Sequence, residues 1–201
     1  MLSAAGNVMH ADSALVLRAQ ANDRAAFNEI VLRYKGRIFN YIYRTIRHAA
    51  DAEDLTQETF VRAYQSIRSF QVRASLNTWL FRIATNLCID YVRKQKTHVP
   101  AESLSCAADE SEQDAQRDIP DAALDPQRLL IDKELTHRVE AALEQLPEKL
   151  RTALLLYDVE GLSYEEIAAV LECPLGTVKS RIFHARAALR DRLAPYLNGM
   201  G

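Results

Sequence analysis

The stretch from Leu162 to Leu193 reads LSYEEIAAVLECPLGTVKSRIFHARAALRDRL, and it cannot be one continuous helix. Pro174 has no backbone N–H and its ring collides with the preceding turn, so the chain must break within ECPLGT. Before the break, Ser163 followed by Glu166 forms a capping box that starts a short helix ending near Leu171. After it, Val178, Ile182, Ala185, Leu189 and Leu193 make a helical apolar stripe. Ile167, Ala168 and Leu171 can face Val178 and Ile182 across the turn, and small Ala168 permits a close crossing. Two short helices joined in this way are a helix-turn-helix.

Charge gives this motif a direction. From 174 to 193 the second helix carries Lys179, Arg181, Arg186, Arg190 and Arg192 against Asp191 alone. A helix entering the major groove needs donors near its N-terminal end for phosphates and base edges. Thr177, Lys179, Ser180, Arg181 and His184 stand there. A basic face by itself is usually only a solvated one. Combined with the capping box, the proline turn and the buried stripe, it favours DNA reading.

The rest of the C-terminal part is helical too. Leu135, Val139, Leu143 and Leu146 mark one helix, and Pro147 suits the first position of the next, which carries Leu150, Leu154 and Leu155 and ends at Gly161. Upstream lies HVPAESLSCAADESEQDAQRDIPDAALDPQ, short of large apolar residues and rich in Asp, Glu, Ser, Ala and Pro. Residues 97–126 hold one Arg against eight acidic residues, whereas residues 1–96 carry a net +6. A segment with so little to bury reads as a flexible acidic linker. The chain is therefore expected to be all-α, with two small helical domains at 1–96 and 129–201 joined by a linker at 97–128.

Four helices are expected in the first domain. Asp12 is placed to cap a short helix to about Ala21, and Asp23 to cap a second with the stripe Phe27, Ile30, Val31, Tyr34, Ile38, Tyr41 and Ile42. A third starts near Ala50 and buries Leu55, Thr59, Ala63 and Ile67. Ser75 caps a fourth, with Leu76, Trp79, Leu80, Ile83, Ala84, Leu87 and Tyr91 on one face. Asp51, Asp54, Glu58 and Arg62, with Gln57 beside them, line an exposed stripe that suits protein docking better than DNA. The polar loop from Gln71 to Ser75 is flanked by aromatics and followed by Arg82, Asn86, Asp90 and Arg93. Such a loop can hold unstacked bases while arginines hold the backbone, although Trp79 and Phe81 are equally at home in a core.

These segments resemble a bacterial sigma factor of the extracytoplasmic-function group (group 4). The resemblance rests on DAEDLTQETFVRAY, TWLFRIATNLCIDYVRK, the run LPEKLRTALLLYDVEGLSYEEIAAVLECPLGTVKSRIFHARAALRDRL and the acidic spacer, and it spans about residues 12–195. It implies an alternative sigma factor that binds core RNA polymerase and directs it to promoters. Asp51, Asp54, Leu55, Gln57 and Glu58 would dock on the polymerase. Phe70, Gln71, Arg73, Ser75, Arg82 and Asn86 would capture the −10 element. Thr177, Lys179, Ser180, Arg181, Phe183 and His184 would read the −35 element. The linker would thread the channel later taken by RNA, and an anti-sigma factor would occlude both domains. The loop departs from the Arg-Gly-Asp-Ser pattern of many relatives, and Lys179 and His184 stand where relatives often carry Arg.

The alternative reading is a repressor whose first domain senses a ligand or dimerises. An enzyme is disfavoured, because no nucleophile–base set, metal cluster or phosphate loop is legible. No cofactor or metal is expected, and Cys88, Cys106 and Cys173 are too scattered for a disulfide framework or a zinc site. No apolar run approaches a membrane span and no signal peptide is apparent, so the expected location is the cytoplasm.

Overall fold

Asp23 starts the helix around which the first domain is built. In a computed structural model, which describes residues 3–71, 75–98 and 126–197 (side chains for 12–71, 75–95 and 134–196), its carboxylate accepts from the backbone N–H of Ala25 and Ala26 at 2.9 and 3.2 Å. The helix it caps, α2, runs from Arg24 to Ile46. It lies between α1 (Ser3–Gln20), α3 (Ala49–Ser66) and α4 (Leu76–His98), and a single 3-10 turn at Ile67–Ser69 follows α3. Ile30, Tyr34, Ile38, Tyr41 and Ile42 are buried along one stripe, as their spacing requires, with Val31 at its edge. Tyr41 ties α2 to α4: its ring meets Phe81 edge-on at 5.1 Å, and its hydroxyl is 2.7 Å from that of Thr85. Phe81 is fully buried, while Trp79 is only partly so.

Asp12 departs from expectation. α1 begins well before it, and Asp12 lies buried within the helix, accepting from the Tyr34 hydroxyl at 2.5 Å and from Arg33 at 2.6 Å. These tertiary partners on α2 satisfy the carboxylate better than a local cap would. His48 is the cap of α3, its Nδ1 accepting from Asp51 N–H at 3.3 Å.

The second domain comprises α5 (Pro126–Glu144), α6 (Glu148–Leu154) continued by a π turn at Leu155–Val159, α7 (Tyr164–Leu171) and α8 (Leu175–Leu197). Pro147 sits one position earlier than expected, at the cap of α6, where its carbonyl accepts from Leu150 and Arg151. Leu143 and Leu146 are buried but Leu135 is exposed, because the whole turn from 134 to 137 lies beyond the packed surface. Gly161 adopts φ +71°, a left-handed conformation open to glycine, and closes the π turn. Both capping-box bonds are formed at α7: Ser163 Oγ accepts from Glu166 N–H at 3.2 Å, and Glu166 accepts from Ser163 N–H at 2.9 Å.

The two domains touch. α4 packs against α7 and α2 against α6, so one apolar cluster runs through both. The linker reading of 97–128 falls largely on residues 99–125, outside the described residues, as does Cys106. Among the described residues no helix is long and apolar enough to cross a membrane.

Candidate nucleic-acid and polymerase interfaces

Helix α8 sorts its side chains sharply. Val178, Ile182 and Ala185 are buried in the core that α8 forms with α5, α6 and α7, which turns Lys179, Ser180, Phe183 and His184 outward. Phe183 is 66% exposed, a large apolar ring left in water and packed edge-on against His184 at 5.5 Å. Thr177 and Arg181 lie half-buried at the rim, and Arg181 donates towards Cys173 Sγ at 3.7 Å. The six residues therefore sit at the start of one helix, with four fully presented. Pro174 O accepts from both Thr177 and Val178, fixing where that helix begins.

The sequence reading missed an aromatic flank beside this face. Tyr157 and Tyr164 stack at 4.7 Å with their planes 5° apart. Lys179 lies over Tyr164 at 5.8 Å, and Arg186 lies over Tyr157 at 5.0 Å while pairing with Asp158. The sequence signal was present but weak: Tyr157 belongs to one helix and Tyr164 to the next.

On α3, Asp54 and Gln57 are exposed, and Glu58 pairs with Arg62 at 2.7 Å. Asp51 points elsewhere. It accepts from the Tyr91 hydroxyl at 2.5 Å and lies 2.8 Å from His48, so it bonds α3 to α4. Burial and the bond to Asp51 raise the Tyr91 phenol above its usual range. Leu55 is partly buried against the core. A groove of about 610 Å³ runs beside this ridge between α2 and α3, floored by Phe27, Val31, Phe60 and Tyr64, with Gln57 and Lys35 at its edges. The stripe reading had assigned Phe27 and Val31 to the core alone.

The loop after α3 divides. Phe70 is buried against Trp79, ring centroids 4.7 Å apart, and Gln20 of α1 donates to the carbonyls of Ile67 and Phe70 at 2.9 and 2.8 Å. Phe70 thus anchors the loop rather than presenting its ring. Gln71 is exposed, Arg73 lies outside the described residues, and Ser75 accepts from Thr78 N–H at 3.4 Å. Arg82 and Asn86 are exposed one turn apart on α4, and Arg82 pairs with Glu172 at 2.7 Å. Cys88 is buried in the core, where burial pushes its thiol up to about 12, far from reactive thiolate chemistry. Among the described residues no cluster of three or more His, Cys, Asp or Glu could hold a metal.

Sigma-70 region 2 matches residues 30–98, and Sigma-70, region 4, matches residues 136–189. The chain is 40% identical over 190 residues to an RNA polymerase sigma-H factor of Pseudomonas aeruginosa, covering 92% of this chain and 95% of that one. It is 38% identical over 188 residues to an ECF RNA polymerase sigma-E factor of Salmonella typhimurium, covering 92% and 96%. Among solved structures, the sigma factor RpoE in complex with the anti-sigma factor NepR from Bartonella quintana is similar, with a TM-score of 0.62 and 27% identity over 84% of this chain and 96% of that one. The chain belongs to the sigma-70 family of RNA polymerase sigma factors. Its activity is that of an alternative sigma factor in promoter-directed transcription, and its first domain is a sigma region 2 rather than the sensor that a repressor would need.

Proposed function

We propose that this chain is an extracytoplasmic-function, group 4 sigma factor working in the cytoplasm, contributing promoter recognition rather than catalysis. Its domains are 1–96 and 129–201, with 97–128 as the tether between them. Asp54, Gln57 and Glu58 dock on core polymerase beside the groove between α2 and α3. Gln71, Arg73, Ser75, Arg82 and Asn86 receive the −10 strand, with Phe70 and Asp51 shaping the surface from beneath. Thr177, Lys179, Ser180, Arg181, Phe183 and His184 read the −35 element, and an anti-sigma factor holds the protein in reserve.

The observation that carries this reading is the sorting of α8. Its apolar stripe is spent on the core of the second domain, where α8 packs on α5, α6 and α7, and what remains at its N-terminal half is a set of donors and one exposed ring. The test is transcription from a promoter with and without its −35 element by Arg181→Ala and Lys179→Ala. Each change at a base-reading position is expected to lose discrimination worth about 1–3 kcal/mol on the complete promoter. Equal losses on both promoters would contradict base reading by that residue.

A further inference from the structure

Two cations of α2 stand without a carboxylate. Elsewhere in the first domain Arg18, Arg33 and Arg62 each meet one: Asp23, Asp12 and Glu58. Arg24 and Lys35 form no ion pair among the described residues, and both line the groove between α2 and α3. Arg24 opens α2 and Lys35 lies three turns on, about 16 Å along the helix axis at ~1.5 Å per residue. The turn at Arg47 and His48 joins α2 to α3 at one end of the pair. At the other, Phe27 meets Tyr64 edge-on at 5.0 Å, so the two helices run antiparallel. Gln65 of α3 therefore falls toward Arg24, and Gln57 toward Lys35.

Between the two cations the groove is apolar. Phe27 and Phe60 are buried at its floor, but Val61 and Tyr64 remain 49% and 48% exposed. Apolar surface left in water inside a concavity is what the apolar body of a ligand covers. The volume of about 610 Å³ falls among small-ligand sites, which run from roughly 300 to 1,000 Å³. None of the lining residues is acidic. The polar ones bring two positive charges, the hydroxyl of Thr56 and the amides of Asn28, Gln57 and Gln65. A cationic ligand would be repelled from both ends, whereas an acidic head gains a charge-assisted bond at either.

We propose that the groove between α2 and α3 is a binding site for an amphipathic carboxylate, a small molecule with one acidic head on an elongated apolar body. The body lies over Val31, Phe60, Val61 and Tyr64, and the head is taken by a cation with an amide beside it. Both ends offer that pair, so the body can lie in either direction. Gln57 belongs both to this groove and to the ridge proposed to dock on core polymerase. A bound carboxylate and the polymerase therefore exclude each other, a consequence that rests on that docking.

The probe is decanoate, titrated into the full chain at neutral pH and below its micelle concentration, with binding followed by calorimetry. It should bind saturably, one molecule per chain. Arg24→Glu/Lys35→Glu should weaken it by roughly tenfold or more, as loss of a charge-assisted contact implies. Val61→Trp, which fills the groove and keeps both cations, should weaken it too. Lys149→Glu/Arg190→Glu makes the same charge change elsewhere and should leave it unaltered. Decyltrimethylammonium, the same chain length under a cationic head, should prefer the Arg24→Glu/Lys35→Glu variant to the wild type. Absence of saturable decanoate binding would overturn the site. So would equal affinity in the wild type and Arg24→Glu/Lys35→Glu, or wild-type binding of decyltrimethylammonium as tight as that of decanoate. The affinity of the labelled chain for core polymerase separates the site from the docking: decanoate should weaken it in the wild type and not in Arg24→Glu/Lys35→Glu. Saturable decanoate binding that leaves polymerase affinity unchanged would uphold the site and overturn docking at Gln57.

Discussion

Arg37 and Glu160, 123 residues apart in the chain, meet with the guanidinium Nε and Nη2 at 3.1 and 3.0 Å from the same carboxylate oxygen. Glu160 is buried, whereas Arg37 is partly exposed and its guanidinium lies over the Phe81 ring, 5.6 Å from the centroid. Burial raises the Glu160 carboxyl above its usual value, and Arg37 followed by Arg44 draws it only partly back. Burial above all raises the phenol of Tyr41, on the same helix as both arginines, and Glu160 adds to that rise.

A pH dependence follows from that pair. The folded chain holds the Glu160 proton more tightly than the unfolded one. Its contribution to stability is full below the ordinary carboxyl value of 4.5 and is lost as pH rises through the raised value. Glu160→Gln removes the titration. From about pH 4 to about pH 7, the wild type should lose Tm relative to this variant. A difference that stays flat, or runs the other way, would show that the arginines outweigh burial.

Asp23 should behave with the opposite sign. The bond from Arg18 and the N–H groups of Ala26 and Ala25 lower its carboxyl below 3.8. Its contribution is present above that value and lost as pH falls through the lowered one. Asp23→Asn keeps a capping acceptor without the charge. Its Tm deficit should be full at neutral pH and fade in acid, as thermal unfolding followed by circular dichroism would show.

The Ser163 cap is expected to show its worth directly. Ser163→Ala leaves Glu166 N–H without its acceptor and should lower stability by about 0.5–2 kcal/mol in denaturant unfolding. A loss within about 0.5 kcal/mol would mean that packing of α7 against α8 alone sets the helix start.

Two phenylalanines separate scaffold from interface. Phe81→Ala empties a fully buried site and should cost about 3–5 kcal/mol of stability. Phe183→Ala removes an exposed ring and should stay within about 0.5 kcal/mol, yet weaken binding to promoter DNA in a mobility-shift assay. Unimpaired binding by Phe183→Ala would remove that residue from the DNA face.

What could be read from the chain was local. Asp23, the Ser163–Glu166 box and the break at Pro174 each act over a few residues, and all three stand where the sequence put them. The stripes of α2 and α8 were legible because their periodicity is that of the helix. Asp12 was misread because its partners, Arg33 and Tyr34, are a helix away and outcompete a local cap. Gln20 went unnoticed because the carbonyl of Phe70 that it holds lies 50 residues on. The charge match between the domains was invisible for the same reason: each glutamate lies far along the chain from its arginine.

The most direct test of the central claim is abortive transcription by purified core polymerase on a library of promoter-like duplexes, with and without this protein, and with Asp54→Ala/Gln57→Ala in its place. Wild-type protein should start synthesis at a defined subset whose members share two spaced elements. The variant should fold normally but need a higher concentration to do so. Initiation that is indifferent to the protein, alongside tight sequence-specific binding by the protein alone, would contradict the account.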